Sequence, residues 1–151
     1  LKNNLKNSNN CSCFNLGICS SLKRINLFID PYHSGDNRPI ETSGRDSISI
    51  QGISIDHFVD SINLKKVDFI KIDIQGGEYN ALEGSKKTIK RFKPILLVEI
   101  DQKLSPNLVE YLKCFCNKEK YKLIVINNMR KEYINLEELE KFEGNILAFP
   151  S

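Results

Sequence analysis

The clearest pattern of apolar and polar positions lies between residues 67 and 100. Residues 67–74 (VDFIKIDI) are apolar and β-branched except for Lys71 and two aspartates. That density suits a strand buried on both faces of a parallel sheet. The run ends at Gln75-Gly76-Gly77, and Glu78 then opens a helix whose first turn favours an acid. Gly84 stops that helix, and Ser85 is placed to cap a second one running to about Phe92. Residues 94–100 (PILLVEI) predict another buried strand. Ser105-Pro106 reads as a helix start, with Leu108, Leu112 and Phe115 forming its apolar stripe. Residues 121–126 (YKLIVI) predict a strand, Asn135 and Glu138 are spaced as a capping box, and residues 145–150 (NILAFP) predict a closing strand.

The first half is less regular. Residues 1–12 are rich in Asn and Lys and read as a frayed start or the end of a surface helix. Phe14, Leu16 and Ile18 alternate, as do Ile25, Leu27 and Ile29, so two strands are expected with a turn between them. Residues 30–46 (DPYHSGDNRPIETSGRD) are turn formers and predict a long loop, of a length that tends to be functional or disordered. An extended segment follows through Ile48, Ile50, Ile53 and Ile55, then a short helix over 56–62 with Asp56 as its cap. Strands alternating with helices in the second half predict an α/β domain with a mainly parallel sheet.

At 151 residues, 27% charged and 40% hydrophobic, the chain is the size of a single domain with a real core. It contains no apolar run long enough to span a membrane and no visible signal-peptide h-region. Net charge is +3, from 22 basic against 19 acidic residues, mostly scattered Lys, which argues against nucleic acid as a partner. The Lys86, Lys87, Lys90, Arg91, Lys93 run reads as the solvated face of a helix. Five cysteines (Cys11, Cys13, Cys19, Cys114, Cys116) include two C-x-C pairs, a spacing uncommon for structural zinc. Free thiols in a cytoplasmic protein without a metal are the expectation.

In an open α/β sheet, ligands bind beyond the carboxyl ends of the strands. That rule selects Asp73, Gln75, Gly76, Gly77 and Glu78 after one strand, Glu99 and Asp101 after the next, and Cys19 and Ser20 after the first. A carboxylate ending an apolar strand is costly unless it is paired or placed at the sheet mouth, which makes Asp73 the leading catalytic candidate. Glu78 either takes part in the chemistry or satisfies free helix N–H groups. Lys71 is positioned to neutralise Asp73 or Glu99. His33 and His57, the two histidines, are each possible general bases and more ordinarily surface residues.

The block from Asp68 to Glu99 resembles the signature of FkbM-type methyltransferases. Its elements are an apolar strand ending Lys71-x-Asp73-x-Gln75-Gly76-x-Glu78, then Leu82-x-Gly84, then a Pro94-led strand ending in Glu99. Ser54-Ile55-Asp56, the Ser34–Arg38 loop and the final NILAFP support the resemblance, which covers residues 13–150. It implies a Rossmann-like class I methyltransferase fold that uses S-adenosyl-L-methionine and methylates a hydroxyl on a sugar or natural-product acceptor, the partner being a small molecule or glycan. It further implies catalytic roles for Asp73 and Glu78, and a cofactor side comprising Cys19, Ser20, Asp73, Gln75 and Gly76. Gln75 stands where Glu is more common. The first two strands of that fold, with their Gly-rich loop, have no counterpart, so residues 1–151 read as a single, N-terminally incomplete domain. An incomplete sheet would expose a strand edge and invite self-association. The alternative reading is a non-catalytic remnant or degenerate α/β module used as an interaction surface.

Overall fold

A computed structural model describes residues 10–127 and 130–151. Eight strands and four α-helices follow one another among these residues: β1 (Gly17–Ile18), β2 (Lys23–Phe28), β3 (Ser47–Ile53), α1 (Ile55–Ser61), β4 (Phe69–Ile72), α2 (Glu78–Glu83), α3 (Lys86–Phe92), β5 (Ile95–Ile100), α4 (Leu108–Glu119), β6 (Tyr121–Asn127), β7 (Arg130–Tyr133) and β8 (Gly144–Pro150). The Asn- and Lys-rich start lies almost wholly outside the described residues.

The strands form two sheets, one ordered β1-β3-β2 and the other β4-β5-β8-β6-β7. In the larger sheet only β4–β5 is parallel, and the β5–β8, β6–β8 and β6–β7 pairings are antiparallel. The architecture is therefore mixed α/β, and the expectation of a mainly parallel sheet is corrected. A parallel pairing needs a crossover, which α2 and α3 supply between β4 and β5. No α-helix joins β7 to β8, where a short 3-10 turn over Glu138–Lys141 intervenes, and β8 enters between β5 and β6 running the other way. The strand β7 was not visible in the pattern, because RKEY carries no apolar alternation.

One face of the larger sheet carries the core. Leu96, Val98 and Ile100 of β5, Leu123 of β6 and Ile146 and Ala148 of β8 pack with Ala81, Leu82, Ile89, Leu108, Leu112 and Phe115 from the helices. The predicted stripe on α4 is thus the buried one. The helix itself begins at Leu108, two residues later than Ser105-Pro106 suggested, with Asn107 as its first flanking residue. The other face is more open: Phe69 is 51% exposed and Lys71 projects outward. With that face exposed, the expected burial on both faces does not hold for β4, which among the described residues is also a sheet edge paired only with β5.

Caps are arranged differently from the local pattern. Ser54, not Asp56, caps α1, its hydroxyl accepting from the His57 N–H. Asp56 reaches across to α3, where its carboxylate accepts from the N–H groups of Lys87 and Thr88. Ser85 makes no cap and donates its hydroxyl to the Leu82 carbonyl. Half of the capping box at Asn135 forms, with the Glu138 carboxylate accepting from the Asn135 N–H at 3.1 Å. Of the predicted N-terminal strands, the first shrinks to Gly17–Ile18 and the second spans Lys23–Phe28.

Candidate active site

Strand register builds the site. Lys71 lies opposite Leu97 and Ile72 opposite Val98. Continuing that register places Asp73 opposite Glu99, on the same face as Lys71 two positions back. The Lys71 ammonium donates to Asp73 Oδ2 at 2.7 Å, and Gln75 Nε2 donates to Glu99 Oε2 at 3.0 Å. The two acids titrate in opposite directions. Hydrogen bonding from Lys71 lowers the pKa of Asp73 from its usual value. Burial, then the neighbouring Asp73 charge, raises that of Glu99. Of the two acids, Glu99 is therefore the stronger base and Asp73 the weaker.

After β4 the backbone turns back on itself. Gln75 has φ 52° and Gly76 φ 97°, a left-handed stretch that Gly76 tolerates for want of a Cβ. A Cβ on Gly76 would also fall 2.2 Å from Ile40 Cδ1. The turn is held from below by Glu78, which is 2% exposed. Its carboxylate accepts from the Ile74 N–H at 3.0 Å and from the Gly76 N–H at 2.9 Å. Glu78 therefore shapes the turn that presents Asp73 and Gln75, with its oxygens spent on backbone donors.

Opposite the turn stands the 30–46 loop. Pro39 and Ile40 pack on Gly77 and Gly76. The loop is braced internally: the Arg45 guanidinium pairs with Asp30 and Asp36, and Arg38 pairs with Asp36. Those two arginines hold the Asp36 carboxyl down at about 2. Asp30 accepts from the N–H groups of Tyr32 and His33, both at 2.8 Å.

Between the small sheet, this loop and the turn lies a cleft of about 270 Å³. Ile18, Ile25, Leu27 and Ile50 form its apolar wall, Gly35, Asn37 and Pro39 come from the loop, and Asp73, Ile74 and Gln75 close the polar end. Among the described residues, no cluster of His, Cys, Asp and Glu is arranged to hold a metal ion. No helix there is long and apolar enough to cross a membrane.

The profile of the methyltransferase FkbM domain matches residues 3–133. The chain belongs to the FkbM methyltransferase family. Among solved structures, it is similar to a crystal structure of methyltransferase FkbM from Methylobacillus flagellatus KT, at 16% identity and a TM-score of 0.58. The alignment covers 97% of this chain and 31% of that one, so the chain spans about a third of the length of that FkbM protein. At that identity the likeness concerns the fold. Comparison with curated proteins gives no match.

Within this FkbM domain, the structure brings together Asp73, Gln75, Glu99 and Lys71, with Glu78 beneath them. It does not bring Cys19 and Ser20 into the cleft, although Ile18 just before them lines it. The Cys19 thiol is buried and donates to the Ser21 carbonyl. The segment packs on Gly84, where an added Cβ would lie 2.5 Å from the Cys19 carbonyl oxygen and 3.1 Å from Ser20 Cα. His33 and His57 are exposed and line none of the cleft. The length of the 30–46 loop marks it as functional or disordered, and its Pro39–Ile40 contact with Gly77 and Gly76 carries no local sequence signal.

Proposed function

We propose that the chain carries the acceptor side of an S-adenosyl-L-methionine-dependent methyltransferase that acts on a hydroxyl of a sugar or another small-molecule or glycan acceptor. The observation that carries this reading is the placement of Asp73, at the end of β4 and facing an apolar cleft, with Lys71 keeping it ionised. Family membership supports the methyl-transfer chemistry.

The donor set fits the cofactor's chemistry: an anionic carboxylate beside an amide, at the mouth of an apolar slot, suits a cationic sulfonium with an apolar ring system. Asp73 and Gln75 would hold it, with Gly76 shaping the turn and the Cys19-Ser20 segment following the cleft-lining Ile18. When bound, S-adenosylmethionine supplies an electrophilic methyl group on positively charged sulfur.

The remaining work falls to this chain's own groups. Asp73, held low by Lys71, is a weak base, so it orients the acceptor by taking a hydrogen bond from its hydroxyl. The hydroxyl proton leaves as the new C–O bond forms, when its acidity rises steeply. Glu99, its pKa raised, is the stronger base of the two acids and in its ionised form takes that proton by way of Asp73. The apolar wall excludes water and limits hydrolysis of the donor. Glu78 contributes by fixing the turn.

Calorimetric titration of S-adenosylhomocysteine into the chain tests the cofactor side. A turnover comparison tests the acceptor side: Asp73→Asn should lower kcat/KM by about 10²–10⁴-fold. Unchanged turnover removes Asp73 from the mechanism.

A second reading, a non-catalytic remnant or degenerate α/β module used as an interaction surface, is favoured by one observation, the edge of β4 that no strand covers among the described residues. An unpaired strand edge is a template for another strand, including that of a second copy. Concentration-dependent association in light scattering, together with no binding of S-adenosylhomocysteine, is the outcome this reading requires.

A further inference from the structure

A second concavity lies away from the cleft, in the helix layer. Between α3 and α4 is a groove of about 300 Å³. Its floor is apolar and aromatic: Phe115 is buried, Tyr111 is half-buried and lies parallel to it with ring centroids 6.2 Å apart, and Cys114 is exposed beside them. Its rim is basic, carrying Lys86, Lys87, Lys90 and Lys118.

The ion pairs decide how much of this charge is free. Glu119, the one acid on the rim, is taken by Lys93 at 3.0 Å, and Lys86 is taken by Glu83 at 2.6 Å while lying 5.7 Å from the Tyr111 ring. Lys87, Lys90 and Lys118 have no acidic partner among the described residues. Three unpaired ammonium groups therefore overlook an aromatic floor. A solvated helix face has no need of the floor, and a core contact would have closed over it.

We infer that the α3–α4 groove binds a small amphipathic anion: an aromatic or alkyl body that lies on Tyr111 and Phe115, carrying a phosphate, sulfate or carboxylate that Lys87, Lys90 and Lys118 hold. The volume matches the lower end of small-molecule sites. Lysines act here as point charges, which tolerate any of these anionic groups. Binding would need both halves, since the ammonium groups alone are solvated and the floor alone is shallow. The site is separate from Asp73 and does not depend on methyl transfer.

The test is calorimetric titration of the full chain with 2-naphthyl phosphate, 2-naphthol and inorganic phosphate. The phosphate ester should bind at least about tenfold more tightly than either half, a difference of about 1.4 kcal/mol. Lys90→Glu and Lys118→Glu, both at exposed positions, should each weaken the ester about tenfold or more and leave the far-ultraviolet circular dichroism unchanged. Saturating ester should also slow alkylation of Cys114, followed by peptide mass spectrometry. Equal binding of ester and naphthol, insensitivity to both charge reversals, or no protection of Cys114 would each overturn the proposal. So would salt-dependent binding of a single-stranded oligonucleotide, or of an acidic peptide, that outcompetes the ester at equal charge, because the groove would then be part of a macromolecular surface.

Discussion

The carboxylate of Asp56 accepts the backbone N–H of Thr88 at 2.7 Å, joining the first turn of α1 to the first turn of α3 across a sequence separation of 32 residues. It satisfies donors that the start of α3 otherwise leaves free, and it fastens the region of the small sheet to the helix layer of the large one. Asp56→Ala should therefore cost about 1–2 kcal/mol, in the range of a lost N-cap. Urea unfolding of the two proteins measures the loss. A change below the error of that experiment would mean that water replaces the carboxylate freely.

Glu78 faces a harsher consequence. Its removal leaves the Ile74 and Gly76 N–H groups without acceptors inside the turn. Glu78→Ala should destabilise the chain by about 2–3 kcal/mol. Glu78→Gln, whose amide oxygen still accepts, should fall between the two. The same unfolding experiment ranks them, and equal stability of all three would show that the turn holds itself.

The opposed titrations of Asp73 and Glu99 give a pH signature. The raised pKa of Glu99 contributes stability that is complete below its usual 4.5 and is lost as pH rises through the higher folded value. The lowered pKa of Asp73 contributes stability present above its usual 3.8 and lost as pH falls through the folded value. Glu99→Gln removes the first effect, keeps an acceptor for Gln75 and leaves the second in place. The variant should gain melting temperature over the parent as pH climbs from about 4.5 toward 7. Parallel melting curves across that window would show that Glu99 does not titrate above its usual value in the folded chain.

Gly84 is required for space and not for conformation, since its φ of −80° suits any residue. A Cβ there would meet the Cys19 carbonyl oxygen at 2.5 Å and Ser54 Cβ at 2.9 Å. Gly84→Ala should cost about 1–3 kcal/mol, as overpacking does. Thermal unfolding reads it, and an unaltered midpoint would mean the small sheet can shift away at little cost.

The legible and illegible parts of this chain divide by the range of the interaction. Strands 94–100 and 121–126, and the apolar stripe of α4, were readable because burial imprints a period on neighbouring residues. The mixed sheet was not, because periodicity reports which face is buried and says nothing of strand direction. Asp56 looks like an ordinary local cap, and Ser54 wins that role because its hydroxyl is the one within reach of the His57 N–H. The pairing of Asp73 with Glu99 needed the β4–β5 register, although each residue was already marked by its place at a strand end. The brace of Asp30, Asp36, Arg38 and Arg45 had no precedent in the pattern, since ion pairs in loops carry no period.

The cleft has walls from chain segments that meet only when the two sheets dock. Its apolar side belongs to the small sheet and its polar end to the turn after β4. An occupant would bind the docked form and not the undocked one, so its binding free energy would add directly to the docking equilibrium. Hydrogen exchange of the β2–β3 amides would then register occupancy at Asp73, although neither strand carries a residue that performs the chemistry.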